Sequence, residues 1–371
     1  MKDMHGLIYT LRSDPSLGEL VAKRNSASIP FCGRYRVIDF ILSGMVNAGI
    51  RDVGVIMERD YQSLLDHLGN GKDWDLARRR GGLRLLPPFG LPEAYEGHFD
   101  GCMEALKSVR SYIEDISQQD VVLAAGDLVA NIDLSAVAKL HRDSGAEMTA
   151  VCTAGAPDYP HHRLVPEPDG FARRLVSVEE GQGEGLVSME VYIIKKSLLL
   201  ELMDYCASTG RKHFHRDAVA HYLAGGGRIA VYEHKGYARR IFSVLDYYQA
   251  SMDMLNWENM AELFPKGERL VRTKERAEVS TYYGEEASVR NCLVADGCYI
   301  EGTVEDCILF RGVHVDKGAV LRRCVIMQDT AVRRGAQLKC VIADKDVKVD
   351  EDVFLAGSER LPIIIPKGAV L

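Results

Sequence analysis

The sequence has nine cysteines and no C-x-x-C pair among them, and their scattered spacing supplies no zinc site. It has no apolar run near the roughly 20 residues that span a bilayer. Its first residues, Met-Lys-Asp-Met-His, carry no signal-peptide core. It has no excess of positive charge either. The formal net charge is −7, and an acidic surface repels nucleic acid and anionic lipid. Reduced thiols in a cytoplasmic protein, with neither nucleic acid nor membrane as partner, are the expectation.

A further absence lies near the start, in GLIYTLRSDPSLGELVAKR, residues 6 to 24. Leu7, Ile8 and Tyr9 read as a first β-strand. A nucleotide-binding α/β domain would follow it with a glycine-rich turn, because glycine lets backbone N–H groups approach a phosphate closely. The turn is Leu11-Arg12-Ser13-Asp14-Pro15-Ser16, without glycine and with a carboxylate.

What is present is two patterns in series. Residues 1–255 alternate strand-like runs (53–57, 121–125, 148–152) with helical ones (61–68, 103–116, from 134, 243–255). Such alternation predicts a mainly parallel sheet covered by helices. Asp127 then follows a strand's C-terminal end, where open α/β sheets bind ligands. Residues 256–288 read as a linker. From 289 to 371 aliphatic residues recur every six positions: Val294 and Ile300; then Ile308, Val320, Ile326, Val332 and Leu338, with His314 at the missing step; then Val341, Val347 and Val353. That period predicts a parallel β-helix, each coil burying its face on the next.

Other conspicuous residues read as structural. His161-His162 is expected to be a polar loop beside Pro160, Arg78-Arg79-Arg80 a solvated turn, and Gly225-Gly226-Gly227 a helix C-cap. Ile363 to Ile365 is expected to be an exposed aliphatic edge.

An α/β domain of this kind followed by a β-helix resembles the ADP-glucose pyrophosphorylase (glucose-1-phosphate adenylyltransferase) family over nearly the whole chain. The resemblance is carried by GRYRVIDFILSGMVNAGIRDVGVI (33–56), VVLAAGDLVANID (121–133) and VRNCLVADGCYIEGTVEDCILFRGVHVDKGAV (289–320). It implies a nucleotidyltransferase-like, Rossmann-like domain and a left-handed β-helix. Within the family the chain looks like the D-type regulatory subunit of bacterial glycogen synthesis.

Carried over residue by residue, the resemblance implies a dismantled site. The family's Gly-Gly-x-Gly-Thr-Arg loop falls on Leu11 to Ser16. A lysine near the nucleotide phosphates falls on Ser26, and one holding the sugar phosphate falls near Glu180. A metal-binding aspartate, expected on the helical segment before Tyr247, falls on Arg240. Asp127 alone remains, as a remnant rather than a working magnesium ligand. Joining ATP to glucose-1-phosphate brings two polyanions together, and two carboxylates must hold the Mg²⁺ that neutralises them. One carboxylate holds it poorly.

The resemblance thus implies a chain of weak or no activity alone, without its own cofactor, in a hetero-tetramer with a catalytic subunit that holds the Mg²⁺, or a homo-oligomer by itself. Lys23, Arg24 and Arg36 match positions that bind a phosphorylated effector; a solvated or intersubunit basic set is the other reading. An active sugar-phosphate nucleotidyltransferase with an atypical loop, using Arg12, is the alternative function. An acyltransferase β-helix fits less well, since His314 is the repeat region's lone histidine and lacks the extra loop such enzymes carry.

Overall fold

The computed structural model describes residues 3–10, 15–58, 60–87 and 99–371. Leu11 to Asp14, most of the glycine-free turn, lie outside the described residues. Grouped by contacts, the chain forms two compact units. Residues 1–12, 40–240 and 267–272 make the first; 13–39, 241–266 and 273–371 make the second. No helix among the described residues is long and apolar enough to cross a membrane.

The first unit is built on nine strands, ordered by first residue Gly82, Asp52, Met4, Asp120, Leu186, Met148, Ile229, Phe171 and His161. Met4–Tyr9 is fully buried and pairs in parallel with both Asp52–Ile56 and Asp120–Ala125. Leu186–Lys195 runs antiparallel to its neighbours, so the sheet is mixed but mainly parallel, as the strand–helix alternation predicts. Gly6 admits the helix above it: a Cβ there would lie 2.6 Å from the Met45 sulfur. The helical stretch 103–116 is two short helices, Cys102–Ser108 and Arg110–Glu114, broken at Val109 with its φ of −114° and ψ of 24°. His161-His162 opens a strand, not a loop. Gly225 caps the helix Ala220–Ala224, and Arg78 to Arg80 are exposed, as read from sequence.

The second unit contains a left-handed β-helix of three parallel five-stranded sheets. Its inward ladders are Ile300–Val315–Val332–Val349, Val304–Leu321–Leu338–Leu355 and Val294–Leu309–Ile326–Ala343–Ile365. Successive rungs such as Leu309, Ile326 and Ala343 are 17 residues apart, so a coil takes two six-residue sides and one of five. The short side turns through residues with positive φ, Asp306 (51°), Arg323 (53°) and Cys340 (50°). Each donates its backbone N–H to the preceding coil's carbonyl at 3.0 Å.

This corrects the six-residue line drawn through Ile308 and His314. Before the five-residue step from Leu321 to Ile326 the inward residues are Leu309, Val315 and Leu321, and His314 is exposed. After it, Ile326, Val332 and Leu338 are inward as expected. Ile363–Ile365 is also corrected: it is the last rung, with Ile365 buried. The exposed large apolar residues nearby are Phe354, Leu361, Val370 and Leu371. All nine cysteines are free thiols. Cys292, Cys307 and Cys324 stack on successive coils, each sulfur accepting the backbone N–H of the next, at 3.4 and 3.3 Å.

Candidate functional site

Asp127 follows the buried strand Asp120–Ala125, at the C-terminal edge of the parallel strands. The next three residues, Leu128–Ala130, pair antiparallel with Ala238–Arg240, placing Arg240 opposite Leu128. Arg240 therefore sits on a strand. The helix expected there begins at Val244, behind a capping box made by Ser243 and Asp246, because the ladder claims 238–240 first.

The pairing delivers a guanidinium onto the remnant carboxylate. Arg240 Nε donates to Asp127 Oδ2 at 2.9 Å, and Nη1 reaches Glu190 Oε1 at 3.4 Å. Glu190 lies on Leu186–Lys195 where the register shifts between Ser188 and Val191. Its φ is +58°, a left-handed conformation that costs a non-glycine residue about 1 kcal/mol. The bulge turns the carboxylate inward. Tyr9 donates its hydroxyl proton to Glu190 at 2.8 Å, and His215 Nδ1 is 3.5 Å from the same carboxylate oxygen. His215 Nε2 is 2.5 Å from the Tyr192 hydroxyl, which is 2.6 Å from Ser188 Oγ. His162 stacks on His215 with ring centroids 4.6 Å apart.

Charge in this group is balanced internally. Burial works to raise Glu190, but His215, Arg240 and the Tyr9 hydrogen bond together pull its carboxyl below the ordinary value. Burial works against the Arg240 charge, and Asp127 and Glu190 overcome it and hold the guanidinium protonated. Burial, reinforced by His215, pushes His162 down to about 4. Burial likewise lowers His215.

A fold of this shape is recognisable in known proteins. A nucleotidyl transferase family model matches residues 17–257, and a GlmU-like C-terminal hexapeptide model matches 277–359. The chain belongs to the nucleotidyl transferase family. Among individual proteins it is 36% identical over 367 residues to the glycogen biosynthesis protein GlgD of Bacillus subtilis (strain 168), covering 99% of this chain and 96% of that protein. It is also 36% identical over 391 residues to GlgD of Geobacillus stearothermophilus, covering 99% and 97%. It is 25% identical over 375 residues to a glucose-1-phosphate adenylyltransferase of Clostridium perfringens (strain 13 / Type A), covering 100% and 95%.

For a nucleotidyl transferase, the question is whether this site fits a divalent cation. It does not. The Asp127 Oδ1 atom is buried without a hydrogen-bond partner, but its other oxygen and Glu190 are held by a guanidinium. A fixed positive charge between two carboxylates excludes a second cation from the same place. Among the described residues no group of three His, Cys, Asp or Glu could hold a metal. Glu190, Tyr9 and His215 were not legible as members of the site, since neither the bulge at Glu190 nor the approach of Arg240 leaves a spacing signal.

Glu180 is exposed between the strands Phe171–Val178 and Leu186–Lys195. Ser26 is buried in the second unit, in a single turn capped by the Asn25 side chain. Lys23 is exposed. Arg24 is 4% exposed and clamps Asp344, itself 2% exposed, through Nη2 at 2.7 and 2.8 Å. Arg36 is half-buried on Tyr35–Arg36. Burial lowers the Lys345 ammonium to about 7, with the charges of Arg36, Arg24 and Lys367 adding repulsion.

Proposed function

We propose that this chain serves glycogen biosynthesis as a regulatory subunit. It has little or no turnover of its own, associates in the cytoplasm with a catalytic glucose-1-phosphate adenylyltransferase chain, and raises that chain's output of ADP-glucose from ATP and glucose-1-phosphate. One observation carries the reading: Arg240 is bound to Asp127 and Glu190 where the reaction would need a divalent cation. Phosphoryl-type transfer depends on positioning and on neutralising charge between polyanions. A guanidinium locked to two carboxylates supplies neither to an incoming triphosphate. Among the described residues the chain keeps both the sheet and the β-helix while Arg240 fills the site.

The same reading assigns the Lys23, Arg36 and Lys345 neighbourhood to a phosphorylated effector, with Arg24 holding the fold there through Asp344. Co-expression of this chain with a catalytic glucose-1-phosphate adenylyltransferase, followed by light-scattering mass measurement, tests the association. A mixed oligomer is expected; two separately eluting homo-oligomers would overturn the proposal.

A further inference from the structure

The N-terminal edge of the parallel strands, opposite the edge that Asp127 follows, carries a second group of polar side chains. Asp52 opens its strand beside Gly82, and both its carboxylate oxygens are engaged. The Gly82 backbone N–H donates to Oδ1 at 2.9 Å, and Gln118 Nε2 donates to Oδ2 at 2.8 Å. The chain comes this close because Gly81 and Gly82 have φ of +74° and +83°; a Cβ on Gly81 would lie 1.8 Å from Asp52 Oδ1. His5, on the neighbouring strand Met4–Tyr9, is 5% exposed. Its Nε2 is 2.9 Å from the Tyr112 hydroxyl, and its Nδ1 is buried without a hydrogen-bond partner of ordinary geometry.

These groups line a cleft of about 300 Å³ together with Arg84, Asp115, Ile116 and Ser117, a size at the lower end of the range usual for small-molecule sites. Its charges nearly cancel. Arg84 is exposed and makes no ion pair among the described residues; it stands against the carboxylates of Asp52 and Asp115. Burial keeps His5 neutral, at about 4, against the opposing pull of Asp52 and Gln118. A phosphate would meet two carboxylates and an uncharged imidazole. A divalent cation would meet a guanidinium, and no group of three His, Cys, Asp or Glu among the described residues could hold one. The lining therefore favours a neutral ligand rich in hydroxyls. Carboxylate, carboxamide and guanidinium groups present paired acceptors or donors in one plane, and a carboxylate has about four acceptor positions. Neighbouring ring hydroxyls, each both donor and acceptor, match such pairs. Tyr112 and Ile116 supply apolar surface for the C–H face of a ring.

We infer that the cleft around His5, Asp52, Arg84 and Gln118 is a binding site for a free neutral sugar of one or two rings. The site lies at the other edge of the sheet from Asp127 and Glu190 and does not depend on the regulatory reading.

Calorimetric titration of the full chain with glucose, maltose and cyclohexanol tests it. Glucose or maltose is expected to bind, and cyclohexanol, a ring of the same size with one hydroxyl, should not. Inorganic phosphate should not displace the bound sugar. Arg84→Ala should weaken sugar binding about tenfold, and Ser117→Trp should fill the cleft and abolish it. Both positions are exposed, so the melting temperatures of these variants should stay close to the parent's. Lys107→Gln, outside the cleft, should leave binding unchanged. Histidine-selective NMR should show the His5 imidazole shifting as sugar is added. No binding of either sugar, equal binding of cyclohexanol, displacement by phosphate, or sugar binding unaltered in both Arg84→Ala and Ser117→Trp would overturn the inference.

Discussion

Arg240 Nε lies 2.9 Å from Asp127 Oδ2, joining two residues 113 positions apart through a three-residue antiparallel ladder. Arg240→Ala should leave Asp127 and Glu190 facing each other without a counter-charge. Breaking such a largely buried pair is expected to cost about 2–3 kcal/mol in urea unfolding. It should also open the place to a metal. Mn²⁺ is expected to raise the melting temperature of Arg240→Ala while leaving the parent unchanged. Equal responses of the two proteins would show that Arg240 does not occupy a cation's place.

Acid sensitivity follows from the buried histidines. His162 and His5 are lowered to about 4 in the folded chain, against about 6.5 unfolded. Each depressed imidazole favours the folded state fully above pH 6.5, and that contribution falls as pH drops towards 4, by at most about 3 kcal/mol each. Melting temperature should therefore decline between pH 6.5 and 4.5. His162→Gln should make the decline shallower; an unchanged slope would contradict the assignment.

Arg24 and Lys23 are adjacent but should behave differently. Arg24→Ala strands the buried Asp344 carboxylate, and about 3–5 kcal/mol of stability should be lost. Lys23→Ala, at an exposed position, should change unfolding by less than about 0.5 kcal/mol. Urea denaturation of the two variants distinguishes a buried clamp from a surface pair.

These contrasts mark what the sequence could convey. Strand runs such as Val121–Ala125 and aliphatics at regular spacing are local signals, so both architectures were legible, as was Asp127 at its strand end. The phase of the β-helix was not. One side of each coil is a residue short, and a line drawn at six residues selects outward His314 and half-buried Val320 in place of Val315 and Leu321. Glu190 was hidden for another reason. Its role depends on a bulge and a positive φ that glutamate seldom adopts, held by tertiary contacts with Tyr9, His215 and Arg240. Arg24 read either as an effector ligand or as part of a solvated or intersubunit basic set, because sequence shows charge but not the Asp344 partner 320 residues away.

The Lys345 ammonium, lowered to about 7, makes the proposed effector site pH-dependent. Above pH 7 the lysine is mainly neutral; as pH falls from 8.5 to 7 it gains charge. Affinity for a sugar bisphosphate should rise about tenfold or less over that interval, with Lys345→Met abolishing the trend. Calorimetry at three pH values decides, and a flat profile in the parent protein would remove Lys345 from the site.

The central claim is that this chain regulates rather than catalyses. Pyrophosphate release from ATP and glucose-1-phosphate should be measured for this chain alone, for a catalytic glucose-1-phosphate adenylyltransferase chain alone, and for the two together. The account predicts a rate near background for the first and a rate in the mixture well above that of the catalytic chain alone. Robust turnover by this chain unaided, or a mixture no faster than the catalytic chain, would contradict it.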